Sequence, residues 1–219
     1  PRLGATVRID NLGDPIPGKS VKLTVNASIQ RKMEEVLIET SKTYKAKGAT
    51  GVIMDPNTGA LLSIVSVPRF NANNREKLDV SATQVRAVTD PYEPGSVFKV
   101  VTIAGALEDG LTTPTTRYSV PPYYEFMYEG KLRKITDAHT RTGTEVMTTA
   151  DILVTSSNVG TVLVSKSLKN RNRLRFWMDR FGFGHRTGVD LNNESAGVLP
   201  KLGWNAGQEV NIPFGQGLD

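Results

Sequence analysis

The sequence contains no cysteine, which excludes disulfide staples and thiol chemistry and leaves the compartment undecided. No apolar run approaches the ~18 residues of a membrane span. No initiating Met or signal peptide opens the chain, so the expectation is a soluble portion whose membrane anchor, if any, lies outside these residues. Histidine occurs twice, at His139 and His185, and both read as surface or loop residues rather than triad members or metal ligands. Basic side chains outnumber acidic ones only 27 to 22. Their one dense cluster, Lys169, Arg171, Arg173, Arg175 and Arg180, carries no nucleic-acid-binding motif. It reads as a solvated helix face, and no nucleic-acid partner is expected. What is present is 219 residues, 38% of them hydrophobic, enough for a real core in one large domain or one domain with an appendage.

Residues 94–110, Pro-Gly-Ser-Val-Phe-Lys-Val-Val-Thr-Ile-Ala-Gly-Ala-Leu-Glu-Asp-Gly, read as a helix that places Ser96 and Lys99 on one face of its first turn. From Val97 to Leu107 it is apolar around almost the whole circumference, so it is expected to lie inside the protein. An ammonium in such surroundings is pushed toward its neutral form, and a neutral amine within reach of a hydroxyl is a general base for a serine nucleophile. Pro94 and Gly95 start the helix, so its N-terminal N–H groups are expected to face an oxyanion on a substrate carbonyl. A Ser-x-x-Lys arises by chance roughly once in a chain of this length. Ser96 is the only one of the thirteen serines with Lys at that spacing.

Residues 1–20, rich in Gly and Pro, read as a linker or lead-in. Within them Gly13-Asp14-Pro15-Ile16-Pro17-Gly18-Lys19-Ser20 matches the P-loop pattern, but two prolines remove N–H donors that such a loop exists to offer. Val21–Val25 then alternates like a strand where a P-loop requires a helix. Asn26 or Ser28 caps a helix running to about Lys47, with Ile29, Met33, Val36, Leu37 and Thr40 on its apolar side and Gly48 as its stop. Residues 49–67 form a hairpin around Asp55-Pro56-Asn57-Thr58-Gly59. Pro68–Asn74 is a loop and 79–90 a short polar helix or loop. Beyond Gly110, residues 111–144 carry prolines, five Tyr or Phe rings and few periodic runs, and read as an ordered surface excursion. Helices follow at about 146–155, 159–169 and 171–181, and 182–219 is Gly-rich with scattered apolar positions.

Thr155-Ser156-Ser157-Asn158 joins the first two of those helices. Ser156 offers a second hydroxyl to relay a proton from the base to a leaving amine, and the Asn158 amide can hold Lys99 and the carbonyl of a peptide substrate. As a lone tripeptide it would pass for a turn or cap. Following Ser-x-x-Lys at this distance, and joining two helices, it carries more weight.

Together these stretches resemble the transpeptidase domain of class B penicillin-binding proteins, serine enzymes that cross-link peptidoglycan and whose group shares Ser-x-x-Lys, Ser-x-Asn and Lys-Thr-Gly motifs. The matching residues are Arg86–Asp90 through Glu93–Lys99, Ser156–Gly160, Val52–Gly59 with Pro68, and Phe181–Gly184 through Gly188 to Pro200, covering the chain from about Lys19 onward. The resemblance implies an α+β fold, with a central antiparallel sheet flanked by helices and a helical subdomain. It implies that Ser96 attacks the terminal D-Ala-D-Ala of a donor stem peptide, that Lys99 takes its proton, that Ser156 passes a proton on and that Asn158 holds the substrate amide. No cofactor or metal is implied. Stem peptides and β-lactams are the implied ligands, other cell-wall synthesis proteins the implied partners, and the extracytoplasmic face of the bacterial cytoplasmic membrane the implied location. The Arg86–Ser96 stretch resembles the cell-division branch. A β-lactamase or D,D-carboxypeptidase on the same fold, and a non-catalytic penicillin sensor or divisome scaffold, are the alternatives.

One motif departs from the pattern. No Lys-(Thr or Ser)-Gly occurs in the 219 residues. Arg141-Thr142-Gly143-Thr144 comes before Ser156 instead of after it, and Gly143 reads as part of a turn. Residues 21–219 are therefore expected to be the N-terminal and middle part of such a domain, with the strands that carry the third motif beyond Asp219.

Overall fold

A computed structural model describes residues 18–73, 79–168 and 171–218. Most of the lead-in and of the P-loop look-alike, together with Lys169 of the basic cluster, lie outside the described residues. The chain divides into two compact units at Thr83/Gln84.

In the first unit, helix α1 (Ala27–Thr43) starts where the Asn26 side chain accepts hydrogen bonds from the amides of Ser28 and Ile29, satisfying two N–H groups that the first turn leaves free. It ends earlier than expected: Tyr44 is the C-cap and Lys45 takes a φ of 51°, so the left-handed residue that stops the helix is a lysine rather than Gly48. Strands β1 (Ala49–Met54) and β2 (Leu61–Val67) pair antiparallel as the hairpin reading requires. Asp55 accepts from the Asn57 amide and the Thr58 hydroxyl, and Gly59 adopts a φ of 73°, the backbone geometry for which Gly is suited. Gln30 ties α1 to β2 by a fork: its Nε2 donates to Ile64 O at 2.9 Å, while its Oε1 accepts from Ser63 Oγ and the Ile64 amide. The apolar face of α1 is correspondingly rotated, with Ile29, Met33 and Leu37 half-buried and Val36 and Thr40 exposed. The strand expected at 21–25 is not formed. Val21 and Leu23 are 82% and 70% exposed, so the alternation has no surface to cover, and the segment is joined to β2 by bonds from Thr24 Oγ1 to Leu61 O and from the Asn26 amide to Leu62 O.

The second unit opens with a short helix α2 (Arg86–Thr89) and a 3-10 turn over Gly95–Phe98 that runs directly into α3 (Lys99–Glu108). The ordered excursion expected at 111–144 is built of strands. Strand β3 (Arg117–Val120) pairs with β6 (Glu145–Thr148), and β4 (Tyr123–Tyr128) pairs with β5 (Lys131–Thr136), both antiparallel. Tyr124, Phe126 and Tyr128 alternate half-buried with exposed neighbours, a period of two that the Pro and Tyr content had obscured. Helices α4 (Thr149–Val154), α5 (Asn158–Ser167) and α6 (Arg171–Arg180) stand close to their expected positions. The Gly-rich C-terminal stretch adds an unforeseen helix α7 (Ala206–Asn211), capped reciprocally by Asn205 and Gln208, and a 3-10 turn over Ile212–Phe214. Helices and antiparallel strands give the α+β class; among the described residues the strands form three two-stranded sheets.

The core of this unit is helical. Helix α3 packs on α5 and α6, and Phe98, Ile103, Ala106, Ile152, Val159, Val164, Met178 and Ile212 are almost wholly removed from water, each of the larger ones contributing about 1.5–3 kcal/mol. Burial of α3 is one-sided, contrary to the all-round reading. Val97 and Val100 are 71% and 51% exposed and Leu107 also faces solvent, an apolar stripe at helical spacing on the side away from α5 and α6.

Candidate active site

Ser96 sits on the 3-10 turn and Lys99 is the first residue of α3, its amide bonded to Ser96 O. The two side chains therefore share a face, but their environments differ sharply: Ser96 is exposed, whereas Lys99 is 1% exposed. Lys99 Nζ lies 3.1 Å from Ser96 Oγ, 2.9 Å from Ser156 Oγ and 2.5 Å from Ser156 O. Burial lowers the Lys99 pKa from its ordinary value, and the Asp137 carboxylate partly opposes that shift. A neutral amine carries two N–H groups and one lone pair, so it can donate to both oxygens of Ser156 while accepting the proton of Ser96.

Ser156 reaches Lys99 because of an unusual backbone. Helix α4 ends with Thr155 as its C-cap, and Ser156 then adopts a φ of 54°, a left-handed conformation uncommon for a residue with a side chain. Ser157 is the N-cap of α5, accepting from the Gly160 amide at 2.8 Å. Asn158 opens α5, and its Nδ2 donates to Thr136 O at 3.0 Å.

Two elements that the sequence reading missed hold this arrangement. Asp137, just after β5, accepts from Ser157 Oγ at 2.7 Å and from the Val159 amide at 2.9 Å, and is ion-paired with Arg141. The segment 213–217 grips the nucleophile's turn from the other side. Thr102 Oγ1 donates to Pro213 O, the Gly95 amide donates to Gly215 O at 2.9 Å, and the Gly217 amide donates to Glu93 Oε1 at 2.7 Å. Gly215 has a φ of 83°, and a Cβ placed there would stand 2.1 Å from Gly95 O, so only Gly permits the approach.

The structure thus brings Ser96, Lys99 and Ser156 together and sets Asn158 beside them in sequence, with its amide engaged by Thr136 O instead of by Lys99. The Gly95 N–H, expected to face an oxyanion, is taken by Gly215 O. Gly143 falls in a bend that leads into β6 and so toward α4. His139 and His185 are exposed, the latter 3.7 Å from Asp179. In the basic cluster, Arg173 pairs with Asp109 and stacks on Phe176, and Arg175 bonds to Asp179 and Pro200 O. Asp137 had no signal of its own; the alternation through β4 would have pointed to a hairpin whose second strand ends beside it.

Three comparisons fit this geometry. The family model described as the penicillin binding protein transpeptidase domain matches residues 49–219. Among curated relatives, penicillin-binding protein PbpB of Mycolicibacterium smegmatis is 32% identical over 214 residues, covering 95% of this chain and 32% of that protein. The protein named probable peptidoglycan D,D-transpeptidase PenA of Neisseria flavescens is 32% identical over 219 residues, covering 96% of this chain and 52% of that one. The crystal structure of penicillin binding protein 3 from Mycobacterium tuberculosis complexed with aztreonam superposes with a TM-score of 0.77 at 31% identity, over 90% of this chain and 43% of that chain. The chain spans between about a third and about a half of the length of these curated relatives. With a match over most of its length and a buried lysine bonded to both serines of the two motifs, the chain belongs to the penicillin binding protein transpeptidase domain family.

Proposed function

We propose that this chain carries the acyl-forming site of a serine D,D-transpeptidase that cross-links peptidoglycan stem peptides and is acylated by β-lactams, at the extracytoplasmic face of the bacterial membrane. The observation that carries the reading is a lysine 1% exposed whose Nζ lies within hydrogen-bond reach of two serine hydroxyls. Ser96 Oγ attacks the carbonyl carbon of the penultimate D-Ala and Lys99 Nζ takes the hydroxyl proton. Through Ser156 Oγ that proton passes to the amine nitrogen of the departing D-Ala. Asn158 holds the substrate amide, releasing Thr136 O or sharing its amide with it. An amino group of a second stem peptide then attacks the ester carbonyl, gives up a proton to the base and frees Ser96. β-Lactams present a strained acyl group to the same oxygen.

Within this reading residues 1–20 are a lead-in and 21–219 the N-terminal and middle part of the transpeptidase domain. The exposed apolar stripe of Val97 and Val100 beside Ser96 supports a cover for that flank by strands bearing the Lys-(Thr or Ser)-Gly motif. Other cell-wall synthesis proteins are the partners this role calls for.

Labelling with a fluorescent penicillin tests the proposal. A long-lived covalent adduct, lost in Ser96→Ala, is the expected result. Absence of any adduct on the folded full chain would leave a non-catalytic module, and rapid hydrolytic loss of the adduct would make it a β-lactamase or carboxypeptidase.

A further inference from the structure

Asp137 and Arg141 stand beside the second motif, with Asp137 bonded to Ser157 and to the Val159 amide. Their side chains are 10% and 9% exposed, so this ion pair is nearly buried, an arrangement that costs desolvation; the carboxylate is fully engaged, while Arg141 Nε has no hydrogen-bond partner. Both oxygens of Asp137 are engaged. Oδ1 accepts the Val159 amide at 2.9 Å, and Oδ2 accepts Ser157 Oγ at 2.7 Å and the Arg141 guanidinium at 2.5 Å. Arg141 is fixed in turn by Met147 Sδ at 2.9 Å and Pro121 O at 3.4 Å, which ties the pair to β6 and to the link between β3 and β4. The two groups Asp137 holds, Ser157 and Val159, flank Asn158, and Ser157 follows directly on Ser156, whose φ of 54° aims its carbonyl and its hydroxyl at Lys99.

We propose that Asp137, held by Arg141, is a positioning residue for acylation: it locks the Ser156–Asn158 turn with Ser156 in its left-handed conformation and sets the charge balance around Lys99. The capping half of the role follows from geometry. Without the carboxylate, the Ser157 hydroxyl loses its acceptor and the Val159 amide at the start of α5 loses its partner. The bonds from the Ser156 amide to Leu153 O, from the Ser157 amide to Ile152 O and from Lys99 Nζ to Ser156 remain, but the side-chain clamp that ties the turn to the end of β5 through Ser157 and Val159 is gone. The electrostatic half follows from sign. Among the described residues the charged members of this network are Asp137 after β5, Arg141 in the bend before β6 and Lys99 at the start of α3. Asp137 favours the protonated Lys99, opposing the desolvation that favours the neutral base. Arg141 offsets Asp137, so the two members of one ion pair push Lys99 in opposite directions.

The inference rests on the proposed role of Lys99 as base, and the experiment separates the two. Acylation rates by a chromogenic cephalosporin are measured against pH in the full chain for wild type, Asp137→Asn, Asp137→Ala and Arg141→Met, each checked for folding by circular dichroism. Wild type is expected to show a rate that rises with pH through one ionisation that Lys99→Arg abolishes. Asp137→Asn keeps an acceptor but no charge, so its ionisation moves to lower pH. Arg141→Met leaves the carboxylate unopposed and moves it to higher pH. Asp137→Ala lowers the plateau rate by about tenfold or more, because the turn is released as well, and Asp137→Asn restores part of that loss. A merely structural pair would lower the rates with the ionisation unmoved, and that result, or shifts of the same sign in both charge variants, overturns the inference. A wild-type profile without a Lys99-dependent ionisation would instead overturn the assignment of the base. Should Asp137→Ala fail to fold, the opposed shifts of the other two variants still decide.

Discussion

Before Gln84, helix α1 has no buried residue, and Ser63, Val65 and Ala82 are the only buried side chains among the described residues of that unit. A glutamine fork and half-buried Met33 and Leu37 join the helix to its hairpin. After Gln84, Phe98, Ile103, Ile152, Val159 and Met178 form a dry core, and the decisive hydrogen bonds join residues far apart in sequence: Lys99 to Ser156, Thr102 to Pro213, Gly217 to Glu93. The first region is assembled from local rules, the second from long-range closure. Chemistry that needs a desolvated amine can be built only where closure removes water, and this is where Ser96 and Lys99 lie.

That contrast can be broken most severely at Lys99. Lys99→Arg keeps a cation in the core but cannot release its proton. Acylation by a labelled penicillin is expected to fall by about 10²–10⁴-fold, while Asn26→Ala in the first unit leaves the acylation rate unchanged; equal rates in Lys99→Arg and wild type would remove the base assignment. Next in size is Gly215→Ala, whose Cβ collides with Gly95 O. It is expected to lower stability by about 1–3 kcal/mol and to slow acylation by displacing the turn that carries Ser96, both measurable by denaturant melts and labelling kinetics.

A gentler probe is the pH dependence of stability. Burial lowers the Lys99 pKa below the ordinary lysine value of 10.5, so between the depressed value and 10.5 the unfolded chain binds the proton that the folded chain has released. Stability should therefore rise with pH across that window, with the penalty fully present below it and gone above it. Urea titrations of wild type against Lys99→Met check this, since the variant lacks that component of the slope. The smallest effect belongs to the first unit: Asn26→Ala removes the cap of α1 and should cost about 1 kcal/mol, seen in amide exchange of the first helical turn.

Legibility followed the same division. The cap at Asn26, the turn at Asp55–Gly59 and the Ser96–Lys99 face are short-range relations, and each was readable from neighbouring residues. The end of α1 was not, because Lys45 takes a backbone conformation that composition assigns to Gly48. Strand β4 was hidden because prolines and tyrosines suggest irregular chain, although Tyr124, Phe126 and Tyr128 alternate. The apolar circumference of α3 suggested complete burial, yet Val97 and Val100 are left in solvent; a helical pattern tells which residues could be covered and not what covers them. Asp137 and the 213–217 grip became visible only once tertiary contacts brought them to the two motifs, since nothing in their spacing announces a partner many residues away.

Locating the adduct tests the central claim most directly. After reaction of the full chain with penicillin, proteolysis and mass spectrometry should find the added mass on the hydroxyl of Ser96, bonded in this structure to the buried Lys99, and find none in Ser96→Ala. An adduct on any other residue, or one that persists in a folded Ser96→Ala, would contradict the account.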